Sequence, residues 1–126
     1  MTANNRNRAG QRPPALRKGR ARLDLHHLRQ SAGEDRLLAA ELLNLFRVQA
    51  KVQLDLVKLA KLESDYRMAL HTLKGAALAI GAKTIVEVIA ELDTLPMARS
   101  ARRLELISRL AEEVAATEAE ILNLTA

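Results

Sequence analysis

A histidine, a lysine and two glycines occur at a spacing that could support nucleophilic chemistry on a helix. His71 is followed by Lys74 at plus three, Gly75 at plus four and Gly81 at plus ten. At about 100° per residue, Lys74 and Gly75 lie roughly one turn from His71 on its own side. The residues expected to be buried fall on the other side of the helix; they are Tyr66, Ala69, Leu70, Leu73, Ala76, Ala77 and Ile80. We therefore expect His71 to face solvent.

An exposed imidazole can act as a nucleophile near neutral pH, because the free side chain has a pKa of about 6.5. It can carry a phosphoryl group on a ring nitrogen as a covalent intermediate. That group adds roughly two negative charges, and the Lys74 ammonium could bind its oxygens. Gly75 leaves the surface beside the ring open, although glycine inside a helix costs about 1 kcal/mol relative to alanine. This combination favours a phosphoryl-carrying histidine over an ordinary surface histidine.

The run from His71 to Gly75, followed by Gly81 and Ala82, resembles the signature of histidine phosphotransfer (HPt) domains. The family often has serine where this chain has Ala76, but that position falls on the core side of the helix. More loosely, the resemblance extends over residues 23–124, because the order of the predicted helices also fits. It implies a bundle that passes phosphoryl groups to or from the aspartates of response-regulator receiver domains in a two-component phosphorelay.

The resemblance also implies roles for single residues and partners. His71 would be the phosphoacceptor, Lys74 would stabilise the phosphoryl group, and Gly75 would give steric access. A receiver domain would dock over the histidine and supply both the aspartate and the magnesium, so we expect no cofactor in this chain. A sensor or hybrid histidine kinase would be the other partner.

Three further residues lie on or near the His71 side of the helix, namely Arg67, Met68 and Leu78. Apolar side chains around an exposed polar centre suit a docking surface. We expect these three residues to contact the partner.

Length and composition restrict the function classes that the chain could serve. Its 126 residues suffice for one domain with a core, and they contain no cysteine, which excludes disulfides and zinc–thiolate sites. No glycine-rich nucleotide loop occurs and there is no room for an ATP-binding domain, so we expect no autonomous kinase activity. No apolar run approaches the roughly 18 residues of a membrane span. We expect a cytoplasmic monomer without membrane contact.

The positive charge of the chain is concentrated at its N-terminus. The net charge is +5, yet residues 1–22 contain no acid and seven basic residues, which are Arg6, Arg8, Arg12, Arg17, Lys18, Arg20 and Arg22. We expect residues 1–22 to be a disordered basic tail and residues 23–126 to be the HPt domain. Nucleic-acid binding through this tail is one alternative function, and a non-catalytic helical adaptor for a receiver domain is the other.

Periodicity predicts an all-α fold, an antiparallel up-down-up-down four-helix bundle with a short extra N-terminal helix. The predicted helices cover residues 23–30, 35–62, 65–79, 84–94 and a segment beginning near Ser100. Helix caps are expected at Ser31, Ser64, Thr84 and Ser100, two of them in capping-box spacing. Gly81 is expected to end the helix that carries His71. The apolar pattern of the second helix comprises Leu38, Leu42, Leu45, Phe46, Ala50, Val52, Leu56, Leu59 and Ala60.

Overall fold

Five helices account for most of the chain in a computed structural model, which describes residues 23–33 and 35–125. They are α1 (Leu25–Ala32), α2 (Arg36–Leu59), α3 (Glu63–Ile80), α4 (Lys83–Asp93) and α5 (Ala101–Thr125). The described residues contain no strand, only an isolated antiparallel bridge between Leu23 and Ala82. The prediction of an all-α fold is thereby confirmed. The basic segment 1–22 lies outside the described residues.

The four longer helices pack in a closed cycle of neighbours. Helix α2 contacts α3, α3 contacts α4, α4 contacts α5, and α5 contacts α2, while α1 packs against α2 and α3. Their apolar faces meet in one cluster whose largest fully buried members include Tyr66, Phe46, Leu70, Leu73, Ile85, Ile89, Leu92, Leu106 and Leu110. Each buried leucine or isoleucine contributes about 1.5–3 kcal/mol to folding. No helix in the described part of the chain has the length and hydropathy needed to cross a bilayer.

The helix starts agree only in part with the predicted caps. Ser100 accepts a hydrogen bond from the Arg103 amide at 3.1 Å, so this cap is confirmed. The cap of α2 is Asp35, which accepts from the Leu38 amide, whereas Ser31 belongs to α1. Ser64 lies within the first turn of α3, and Thr84 lies within α4. The predictions for Ser31, Ser64 and Thr84 were wrong, because a capping residue must sit just outside the helix.

A left-handed turn at Gly81 ends α3 and ties it to α1. Gly81 has a φ of 73°, which confirms its predicted role as the helix stop. Its carbonyl accepts from the Asp24 amide at 3.0 Å. Asp24 in turn caps α1 by accepting from the His27 amide, and this bond, aided by Lys83, holds the pKa of its carboxyl below the usual value. The end of the histidine helix is therefore fixed against the start of α1.

Replacing Gly81 by alanine should destabilise the fold. A Cβ at this position would lie 2.7 Å from the Cβ of Asp24, in a backbone conformation that side chains rarely adopt. Such strained positions cost about 1–3 kcal/mol. We expect Gly81→Ala to lower the free energy of unfolding by at least that amount in urea titrations followed by circular dichroism.

Gly33→Ala is the matched control for this prediction. Gly33 also ends a helix with a positive φ, of 63°, but a Cβ there meets no atom within 4 Å. The Gly33→Ala substitution should lower the free energy of unfolding only by the backbone strain, about 1 kcal/mol. Equal losses in the two variants would contradict the proposed close packing of Gly81 against Asp24.

The prediction for the apolar pattern of α2 was wrong in part. Phe46 and Ala50 are buried, together with Leu43, Leu54 and Val57, which the pattern did not include. Five members of the predicted pattern are exposed instead; they are Leu38, Leu45, Val52, Leu56 and Leu59. Helix α2 thus carries apolar residues on two sides. The side with Leu43, Phe46 and Val57 packs into the core, and the side with Val52 faces solvent.

Candidate functional site

The buried face of α3 determines where the histidine points. Tyr66, Leu70, Leu73 and Ala77 are completely buried against the neighbouring helices. His71 lies on the other side of the same helix and is exposed, as the spacing predicts. Because the helix cannot rotate without exposing these apolar side chains, the direction of the imidazole is fixed by the packing of the core.

Lys74 and Gly75 lie beside the histidine at the surface. Lys74 is half-buried, and no acid in the described part of the chain forms an ion pair with it. Residues three apart on a helix have Cβ atoms about 5–6 Å from each other, so its ammonium can reach a group on the imidazole. Gly75 is exposed, and a Cβ built there meets no atom within 4 Å. Packing among residues 23–33 and 35–125 therefore does not require a glycine here.

Arg67 has a structural role that the sequence did not indicate. Its guanidinium donates to the carbonyl of Leu95 at 2.7 Å and, at longer distances, to those of Leu92 and Asp93, where α4 ends. It also forms ion pairs with Glu63 and Asp93 at 3.3 and 3.6 Å. Arg67 thus satisfies carbonyls at the C-terminus of α4 and couples it to α3.

Replacing Arg67 by methionine should therefore reduce stability. The variant retains an apolar stem but loses the bonds to the α4 carbonyls, and we expect the free energy of unfolding to fall by about 1–2 kcal/mol. Lys61→Met removes the same charge from an exposed position and should change stability by less than about 0.5 kcal/mol. An Arg67→Met variant as stable as the parent would contradict this structural role. Contact of Arg67 with a partner stays a separate prediction.

Met68 and Leu78 flank the histidine along α3 and are both exposed, by 65% and 48%. Each borders a depression of the surface. Met68 lines one of about 530 Å³ together with Leu56 and Leu59 of α2. Leu78 lines another of about 320 Å³, with a polar rim that includes Asp24. The surface around His71 therefore offers apolar side chains on both sides of the imidazole.

Only one of the two histidines of α1 borders this surface. His26 is exposed, and His27 is half-buried beside the depression at Leu78. Among the described residues, no three histidines, cysteines or carboxylates are grouped so that they could hold a metal ion. The polar rim around Leu78 also includes Lys83 and Glu87. Sequence analysis did not find this rim, because its residues lie far apart along the chain, at α1 and α4, and meet only in the folded structure.

Comparison with protein-family models, with curated proteins and with solved structures finds no match to this chain.

Proposed function

We propose that this chain is a histidine phosphotransfer protein, which carries a phosphoryl group on His71 to or from the aspartate of a response-regulator receiver domain. The observation that carries the proposal is the placement of an exposed histidine beside an open glycine and a lysine that forms no ion pair with any described residue. The resemblance of the sequence around His71 to the HPt signature supports it. The helix contacts also support the finer architecture that we propose, an antiparallel up-down-up-down four-helix bundle.

The reaction needs little from this chain beyond a nucleophile and a cation. A lone pair on a neutral imidazole nitrogen of His71 attacks the phosphorus of an aspartyl phosphate. The nitrogen–phosphorus bond forms as the bond to the aspartate oxygen breaks, and the aspartate leaves as a carboxylate. Lys74 stabilises the transferred oxygens electrostatically. The resemblance assigns the aspartate and the magnesium to the receiver, and transfer in the opposite direction follows the same path.

His71→Gln should abolish phosphoryl acceptance without unfolding the chain, because its side chain is exposed. The experiment incubates the full chain with labelled, phosphorylated receiver domains from the same genome. Label on this chain should be acid-labile and base-stable, as a phosphoramidate is. His26→Gln, which removes another exposed histidine, is the matched control and should accept label like the parent.

The outcomes of this experiment separate the proposal from the adaptor alternative. Undiminished label on His71→Gln would refute the site. Binding of a receiver without any transfer of label would instead indicate a non-catalytic adaptor. If the chain neither binds nor accepts label from any receiver, the proposal fails, and nucleic-acid binding through residues 1–22 becomes the hypothesis to test by salt-dependent binding.

Substitutions of Gly75 should separate access from stability. Gly75→Ala fits the open space and should leave the free energy of unfolding unchanged or raise it by up to about 1 kcal/mol. Gly75→Leu should also fold, but its side chain would displace the docking partner, and a misplacement of 1 Å can slow a reaction about 100-fold. We expect the leucine variant to lose phosphotransfer and the alanine variant to retain most of it. Unfolding of Gly75→Leu would contradict the surface role.

A further inference from the structure

Arg103, in the first turn of α5, is the one charged side chain that is buried in the described part of the chain. Only 9% of its surface is exposed. Its Nε is enclosed without an acceptor, and no described residue forms an ion pair with its guanidinium. Buried charges in proteins are normally paired, because removing an unpaired charge from water is unfavourable. The guanidinium of Arg103 therefore needs a counter-ion that the described residues do not supply.

The rest of the sequence does not supply an acid for Arg103 either. Residues 1–22 contain none. Glu34 precedes α2, so the whole length of α2, about 36 Å, separates it along the chain from the start of α3, where Arg103 packs. The counter-ion is therefore expected to come from another molecule.

The guanidinium of Arg103 lies where two helices begin. Its carbon is 4.8 Å from the centroid of the Tyr66 ring; Tyr66 is the fourth residue of α3, and Arg103 is the third of α5. Long side chains on a helix point back toward its N-terminus, so the guanidinium lies beside the first turn of α5. The cation–π contact with Tyr66 recovers only part of the free energy lost on burial of the charge.

A second guanidinium, that of Arg67, lies 5.3 Å from the same ring centroid. Arg67 forms ion pairs with Glu63 and Asp93, at 3.3 and 3.6 Å. These carboxylates therefore neutralise Arg67 and form no ion pair with Arg103. The hydroxyl of Tyr66 is also enclosed without a hydrogen-bond partner among the described residues. Two unsatisfied polar side chains thus pack against each other at the same end of α3.

The start of α5 adds positive potential to that of the guanidinium. Helix α5 has 25 residues, and its first turn contains two arginines and no acid. Ser100 accepts from the Arg103 amide at 3.1 Å, which leaves the amides of Ala101 and Arg102 without an intrahelical acceptor. Acidic residues stabilise the start of a helix, and arginines there oppose its dipole. This charge distribution disfavours the isolated helix and favours binding of an anion.

We propose that the start of α5 binds a tetrahedral oxyanion of the phosphate type through the guanidinium of Arg103 and the amides of Ala101 and Arg102. A guanidinium donates two parallel hydrogen bonds to such an anion, and the amides at a helix N-terminus bind the same groups. The ligand chemistry is that of inorganic phosphate or of a phosphate monoester. The site lies on α5, and it exists or not independently of phosphotransfer at His71.

Titration of the full chain with inorganic phosphate at constant ionic strength, held with chloride, tests the site directly. In proton–nitrogen NMR spectra, the Nε–H signal of Arg103 and the amide signals of Ala101 and Arg102 should shift and saturate together. Acetate at the same ionic strength should shift them less. Shifts that do not saturate, or equal saturation with acetate, would overturn the assignment to phosphate.

Arg103→Met removes the charge and keeps an apolar stem over the Tyr66 ring. Its dissociation constant for phosphate should rise about ten-fold or more, because a charge-assisted hydrogen bond is lost. Phosphate should raise the urea midpoint of the parent but not that of the variant. In chloride, the variant should be at least as stable as the parent, since an unpaired buried charge has been removed. A variant that is less stable in chloride and binds phosphate like the parent would show a purely structural arginine.

Arg109→Met is the matched control. Arg109 lies six residues further along α5 with a side chain exposed by 53%. Its removal changes the net charge equally and should leave the affinity for phosphate at the parental value. An equal loss of affinity in the two variants would show that phosphate responds to the overall charge of the chain, and the proposed site would be wrong.

Phenyl phosphate distinguishes the two sources of the anion in the same NMR titration. Tighter binding of phenyl phosphate than of inorganic phosphate would assign an esterified phosphate as the ligand. Equal or weaker binding would assign the free anion.

Discussion

Burial of one face of α3 is the constraint on which the rest of the molecule depends. Tyr66, Leu70, Leu73 and Ala77 have no exposed surface, and together they contribute several kcal/mol to folding. A helix with this much apolar surface has only one acceptable rotation about its axis. The position of the imidazole therefore follows from the hydrophobic effect, and no hydrogen bond to the ring is needed to orient it.

The ends of α3 are fixed by different interactions, and both involve neighbouring helices. Near its start, Arg67 binds the carbonyls at the end of α4. At its end, the left-handed turn at Gly81 brings the chain against Asp24, which caps α1. These contacts hold the helix along its axis, while the core fixes its rotation. The chemistry-bearing residues lie between the two ends, where the surface is free to meet another molecule.

Helix α2 carries apolar residues on two opposite sides. One side builds the core, and on the other side Leu38, Leu45, Val52, Leu56 and Leu59 remain exposed. Leu56 and Leu59 also line the depression at Met68. The exposed apolar side of α2 therefore adjoins the surface that surrounds His71.

The sequence by itself determined the all-α class, the approximate helix bounds, the exposure of His71 and the stop at Gly81. These features depend on local periodicity and on backbone conformation, which neighbouring residues along the chain decide. Only the tertiary structure decided which apolar side of α2 is buried, because Leu43 and Val52 are equally apolar and the choice depends on the helices that pack there. It also decided the role of Arg67, whose carbonyl partners lie 25 or more residues away along the chain.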